Sequence, residues 1–260
     1  MKNQWFISIK KNEGDVFDLS NLKHNYPPEG YYWADPFLYK RDGVNYLFYE
    51  FYDYQKGKIA YSVINDDLSL SSPTVIIDEP YHMSYPFIFE DNGELYIIPE
   101  AGTSGMVRLF KCTDFPNTWE EQDPLIEGST GDNNIYKMGE IYLMFTTGQP
   151  QMKHDLLILG ALDIKGPWQI MFSDSIKNSR SAGDIFEMNG DLIRPVQDSS
   201  GGYGSGIEFK KIKLDLESGT YDEELIHSIN PDWHPEIFGT HHFSFNDDLI
   251  VLDGKRKIDS

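Results

Sequence analysis

Apolar residues along this chain fall in short alternating runs, joined in pairs by tight turns, and the pairs repeat. Five copies are legible: ADPFLYKRDGVNYLFYE from Ala34, SYPFIFEDNGELYIIPE from Ser84, GDNNIYKMGEIYLMFTT from Gly131, AGDIFEMNGDLIRPVQD from Ala182 and THHFSFNDDLIVLDG from Thr240. Alternation with a period of two marks strands that turn one face to a core. Arg41-Asp42-Gly43, Asp91-Asn92-Gly93, Met188-Asn189-Gly190 and Asn246-Asp247-Asp248 predict hairpin turns with residues at positive φ. The copies recur about every fifty residues with no helical stretch between them, which is the period of propeller blades. The predicted fold is all-β, a five-bladed β-propeller, with residues 1–260 forming a single domain.

Trp5 to Lys10 (WFISIK) alternates too, but stands outside the five copies. It is expected to close the ring by completing the last blade. Outer-strand material follows the copies at Lys58–Ile64, Met106–Cys112, Leu156–Asp163, Pro167–Phe172 and Gly206–Leu216. Residues 11–33 and 230–239 lack a pattern and are expected to be loops on a functional rim.

Composition narrows the function classes. The net charge of −20 repels phosphate backbones and anionic lipid, so neither nucleic acid nor a membrane surface is expected as a partner. The one cysteine, Cys112, rules out an internal disulfide. The chain holds no apolar run of the roughly eighteen residues a spanning helix needs. Its first residues lack a signal-peptide core, so a cytoplasmic protein is expected.

Inner strands of a propeller begin at the axis. Here they open on Asp35, Tyr85, Asp132, Gly183 and His241, and their partner strands end on Glu50, Glu100, Asp198 and Asp253. Cleaving or forming a glycosidic bond needs carboxyl groups facing one another across a cleft. Asp35, Glu100 and Asp132 are the catalytic candidates. Arg180 and Arg194 suit charge positioning, and His82, His241 and His242 suit sugar hydroxyls. Tyr31, Tyr32, Trp33 and Tyr203 offer stacking surfaces, while Glu50, Ser84, Tyr85, Gln197 and Asp198 complete the expected substrate-binding set. Structural roles compete: Asp35 before Pro36 and Asp132 could cap turns, and Glu50 and Glu100 could be rim charges. His241 and His242 are adjacent in a strand, so only one can face the funnel. No metal-ligand motif is present, and no cofactor is expected beyond a single axial cation held by His241 and waters. Phosphate-loop, dinucleotide and nucleophile-elbow motifs are missing. The glycines of SSGGYGSG (Ser199 to Gly206) suit a rim loop.

Several of these strings together resemble a known family. ADPF with YLFYE, YHMSYPFIFEDNGELYIIPE, SRSAGDIF with RPVQD, and a histidine strand ending in DG are similar to the N-terminal propeller domain of plant glucosamine inositolphosphorylceramide transferase. The resemblance runs from Tyr31 to Gly254. It implies a carbohydrate-active role, in bacterial relatives tied to surface-polysaccharide synthesis and its other enzymes. The transferase activity of the plant proteins is attributed to a separate domain. More distantly, the pattern resembles five-bladed glycosidases of glycoside hydrolase family 43. That likeness implies a general-base role for Asp35. It departs at Tyr85, where those enzymes often carry Asp, and it places no acid.

Three readings follow. The first is an enzyme acting on a glycosidic bond of a glycan or activated sugar. The second is a non-catalytic glycan-binding propeller, and the third a protein-interaction propeller.

Overall fold

The structure, a computed structural model, describes residues 2–148, 156–176 and 178–258. It is a five-bladed β-propeller. Blade 1 holds strands Tyr32–Arg41, Val44–Tyr52, Gly57–Val63 and Thr74–Ile77. Blade 2 holds Ser84–Asp91, Glu94–Glu100, Phe110–Asp114 and Thr118–Glu121. Blade 3 runs through Gly131–Met138, Ile141–Thr147, Leu156–Ala161 and Gln169–Asp174. Blade 4 runs through Phe186–Met188, Asp191–Asp198, Gly206–Asp215 and Thr220–Ile229.

Blade 5 is built from both ends of the chain. Phe243–Phe245 and Leu249–Ile258 form its inner hairpin, and Lys2–Lys11 and Lys23–Asn25 its outer strands. Lys2–Lys11 pairs with Leu249–Ile258 along its whole length. The expected closure by the N-terminal strand is what the structure has. The stretch 11–33 is less irregular than its sequence suggests, because Lys23–Asn25 adds a strand and Tyr32 and Trp33 already belong to blade 1.

Each seam between neighbouring blades carries its own apolar cluster. Phe37, Phe48, Phe87 and Ile97 fill the seam of blades 1 and 2. Ile7, Ile9, Leu47, Tyr49 and Val251 fill the seam where the ring closes. A side chain of this size contributes roughly 1.5–3 kcal/mol when fully buried, so the closing strand is fixed by packing as well as by its ladder.

The turns follow the sequence except in blade 5. Asp42-Gly43, Asn92-Gly93 and Asn189-Gly190 all have positive φ, as mirror-image hairpin turns require. Asn246, Asp247 and Asp248 do not. There the Asn246 carboxamide oxygen accepts the amides of Asp248 and Leu249, each at 2.9 Å. A side-chain bond replaces the left-handed backbone, so the sequence signal for a turn was sound but its mechanism differs.

Candidate functional site

The inner strands of blades 1, 2 and 3 share one irregularity. Ala34 pairs Glu50 and Phe37 pairs Phe48, so three steps on one strand oppose two on the other. The same bulge follows Ser84 in blade 2 and Gly131 in blade 3. The bulged residues Asp35, Tyr85 and Asp132 are left-handed, with φ of 52°, 47° and 49°. Such backbone costs a non-glycine residue roughly 1–2 kcal/mol. Three blades sustain it at equivalent positions, where it sets the direction of the side chains at the axis.

Blade 4 carries Gly183 at this position, with φ 136°. A Cβ there would lie 1.9 Å from the Phe243 carbonyl oxygen, which explains the departure from a polar side chain. Tyr85 fills the space left. It is fully buried, its hydroxyl donates to Asn134 Oδ1 at 2.8 Å, and it accepts the Gly183 amide at 3.1 Å. Tyr85 therefore plugs the axis instead of meeting a ligand, contrary to its expected place in the substrate-binding set.

The carboxylates gather around two cations. Asp35 Oδ2 accepts the Tyr85 amide of the next blade at 3.1 Å, so it caps no turn of its own. Its Oδ1 lies 3.9 Å from His241 Nε2 and 3.8 Å from His242 Nδ1. Burial pushes Asp35 up to about 7, and His241 opposes the rise. Asp132 and Glu100 converge on Arg180. Its Nε donates to Asp132 Oδ2, and its Nη2 donates to Glu100 Oε2 at 2.6 Å and to Asp132 Oδ1 at 3.2 Å. Gln197 Nε2 adds a bond to Asp132 at 2.9 Å. Burial pushes Asp132 upward and Arg180 pulls it back.

Glu50 lies nearby, with Tyr32 Oη and His82 Nε2 each 3.4 Å from its Oε1. Burial pushes it well above the ordinary carboxylate range, and Asp35 and Glu100 add to the rise. His82 accepts the Gly57 amide on Nδ1 at 2.9 Å, and burial lowers it, so it is neutral beside Glu50. Ser84 is buried opposite Glu100 in the blade 2 ladder.

A second ion pair lies beside Asp35. Asp253 is fully buried and accepts the amides of His241 at 2.8 Å, His242 at 3.1 Å and Asp35 at 3.3 Å. Its Oδ2 lies 2.6 Å from His241 Nδ1. Burial raises Asp253, but His241 outweighs it and leaves the carboxyl below its ordinary range. Burial lowers His241, yet Asp253 outweighs that and the imidazole titrates above its usual value. The His241 ring stacks on Trp5 at 3.9 Å, and its Nε2 is 3.0 Å from the Tyr203 hydroxyl.

Among the described residues, Asp35, His241 and Asp253 present ligand atoms within 4.8 Å of one another, a place where an axial cation could sit. Their atoms are already engaged with amides and with each other. The arrangement therefore fits a hydrogen-bonded charge network better than an ion cage.

A cleft of about 700 Å³ opens over this network, lined by Glu100, Thr130, Thr147, Arg180, Gln197 and Tyr203 among others. Asp35 lies deeper, with its side chain 8% exposed. Three further expectations need correction. Trp33 packs against Tyr49 in the core of the closing seam and stacks nothing in the cleft. Arg194 is fully buried, donates to the Ser179 carbonyl and lies over Phe145, because the blade 4 strand turns it into the seam with blade 3. His242 is fully buried against Phe37 and Tyr85, and burial lowers it to about 3. Asp198 caps the rim loop, accepting the Ser200 amide at 2.8 Å. Asp253 and Trp5 join the site although the candidate set from the sequence left them out. Asp253 carried a signal, since it ends its strand as Glu50 and Glu100 end theirs.

The profile described as "Glucosamine inositolphosphorylceramide transferase 1, N-terminal" matches residues 19–230. Glucosamine inositolphosphorylceramide transferase 1 of Oryza sativa subsp. indica is 30% identical over 206 residues, covering 72% of this chain and 27% of that protein. The Arabidopsis thaliana protein of the same name is 30% identical over 194 residues, covering 70% and 25%. The chain thus spans about a quarter of the length of these relatives. Among solved structures, a family 117 glycoside hydrolase from Zobellia galactanivorans superposes with a TM-score of 0.60 at 13% identity, over 100% of this chain and 94% of that one. The α-L-arabinanase of Cellvibrio cellulosa gives 0.56 at 13% identity, over 77% and 85%. These structural likenesses carry the fold alone. The extent of the profile match, with relatives at 30% identity, means that the chain belongs to the family of glucosamine inositolphosphorylceramide transferase 1 N-terminal domains.

Proposed function

We propose that this propeller is a carbohydrate-active enzyme that makes or breaks a glycosidic bond at its axial cleft. One observation carries the reading: Asp35, Glu50, Glu100 and Asp132, from three blades, are held together against their own repulsion and desolvation. Burying ionisable groups this way costs several kcal/mol per ion, which a purely structural axis has no need to sustain. Asp35 is the base. A carboxylate that titrates near 7 can take a proton from water or a sugar hydroxyl. Asp132 and Glu100 fix the Arg180 guanidinium over the cleft, where it can donate to ring hydroxyls. The names of the relatives and of the structural neighbours agree with sugar chemistry.

The test is a turnover screen. Phenyl glycosides, glycosyl fluorides and nucleoside-diphosphate sugars of the common pentoses and hexoses are offered to the intact protein. Turnover of at least one is expected, with a rate that climbs as pH rises through about 7, because a base acts only once deprotonated. Saturable binding without any turnover would leave a glycan-binding propeller in its place.

A further inference from the structure

The described cleft lining offers no carboxyl free to act as an acid: Glu50, although burial pushes it up, is not part of that lining and is held by Tyr32 and His82. Glu100 and Asp132 are both bonded to Arg180, so their oxygens are occupied by its guanidinium and not turned to a leaving group. Asp35 is committed to the opposite role. A different chain of contacts supplies the missing proton. Asp253 Oδ2 is 2.6 Å from His241 Nδ1, and His241 Nε2 is 3.0 Å from Tyr203 Oη. The carboxylate is held by three amides and the imidazole is clamped on Trp5, so both are fixed in direction. Tyr203 sits on the Gly-rich loop of blade 4, 55% exposed, and lines the cleft next to Arg180 and Gln197. The carboxylate touches one imidazole nitrogen and the hydroxyl bonds the other, the order of contacts that serves proton transfer in catalytic triads.

We propose that Asp253, His241 and Tyr203 form a proton relay whose outer hydroxyl is the general acid, and that the substrate is an O-glycoside with a poor, alkoxide-type leaving group. This rests on the enzyme reading above. Asp253 and His241 are positioning residues, and Tyr203 is the group that touches the substrate. The glycosidic carbon–oxygen bond breaks and its electron pair goes to the leaving oxygen. That oxygen takes the Tyr203 proton, and Tyr203 takes the proton from His241 Nε2. The acceptor oxygen bonds the anomeric carbon and gives its proton to Asp35. Asp35 then releases its proton to solvent and His241 Nε2 regains one from solvent, and both groups return to their starting states. A phenol carries its proton at neutral pH, so Tyr203 is protonated at the start. A leaving diphosphate needs no such acid, so the relay separates this site from chemistry on nucleotide sugars.

Leaving-group dependence tests the relay. Tyr203→Phe removes only the hydroxyl. On the phenyl glycoside that the parent protein turns over best, kcat is expected to fall about 100-fold or more. On the glycosyl fluoride of the same sugar, which needs no acid, it should stay within about threefold. Equal losses on both substrates, or no loss on either, would overturn the relay. Turnover by the parent protein of fluorides or nucleotide sugars alone would also overturn it, while leaving the enzyme reading standing. A parent protein inactive on every donor sinks both.

Discussion

Asp35→Asn is expected to abolish turnover while leaving ligand affinity within a few fold. The carboxamide has nearly the shape of the carboxylate, and its oxygen can still accept the Tyr85 amide. What disappears is the ability to take a proton, a loss of about 10²–10⁴-fold in kcat. The loss should be the same for phenyl glycosides and fluorides, because both need an activated acceptor. Azide, which has no proton to remove, should restore turnover and yield a glycosyl azide. The same variant should be the more stable protein at pH 8. In the native fold Asp35 titrates near 7, above its value in an unfolded chain. The folded state therefore binds that proton more tightly, and stability falls as pH rises from about 4 to about 7. Asn removes the term, so a gain of a few kcal/mol is expected at pH 8 and almost none at pH 4, read from urea unfolding. An equal Tm gain at both pH values would mean that Asp35 is not a strained, buried acid.

How much of this site could be read from the chain depends on which physical rule placed each residue. The repeat located Asp35 and Asp132, because equivalent positions in blades meet at one axis. It also brought in His241 and, beside the fourth copy, Arg180, while Tyr203 entered as an aromatic stacking candidate. Alternation alone could not say which seam or funnel a strand face meets, and so it misplaced Trp33, Arg194 and His242. Those three are large side chains turned into packed seams, where their polar atoms gave a misleading signal of exposure. The fourth strand of blade 1, Thr74–Ile77, was missed because a loop separates it from its partner and only three of its residues pair. The left-handed bulges were equally hidden. Nothing in Ala-Asp-Pro, Ser-Tyr-Pro or Gly-Asp-Asn announces positive φ at the middle residue. That conformation comes from the ladder register and the crowded axis, both of which are tertiary.

Gly183→Ala tests that crowding directly, and its effect should be the largest on folding. Two costs combine. The φ of 136° lies where only glycine is unstrained, worth about 1–3 kcal/mol. The new methyl would also meet the Phe243 carbonyl oxygen at 1.9 Å, a backbone atom of the next blade that cannot rotate away. Overpacking of this kind adds about 1–3 kcal/mol. Gly183 further takes part in the bonds that seat Tyr85, so displacement would loosen the plug beneath the site. A loss of about 4 kcal/mol and a fall in Tm of about 10 °C are expected. Gly190→Ala is the control. Its φ of 82° is also positive, but nothing lies within 4 Å of the added carbon. It should cost only about 1 kcal/mol. If the two variants melted together, the left-handed backbone would account for the whole effect. The close approach of blades 4 and 5 would then not be what forces glycine onto the fourth axial position.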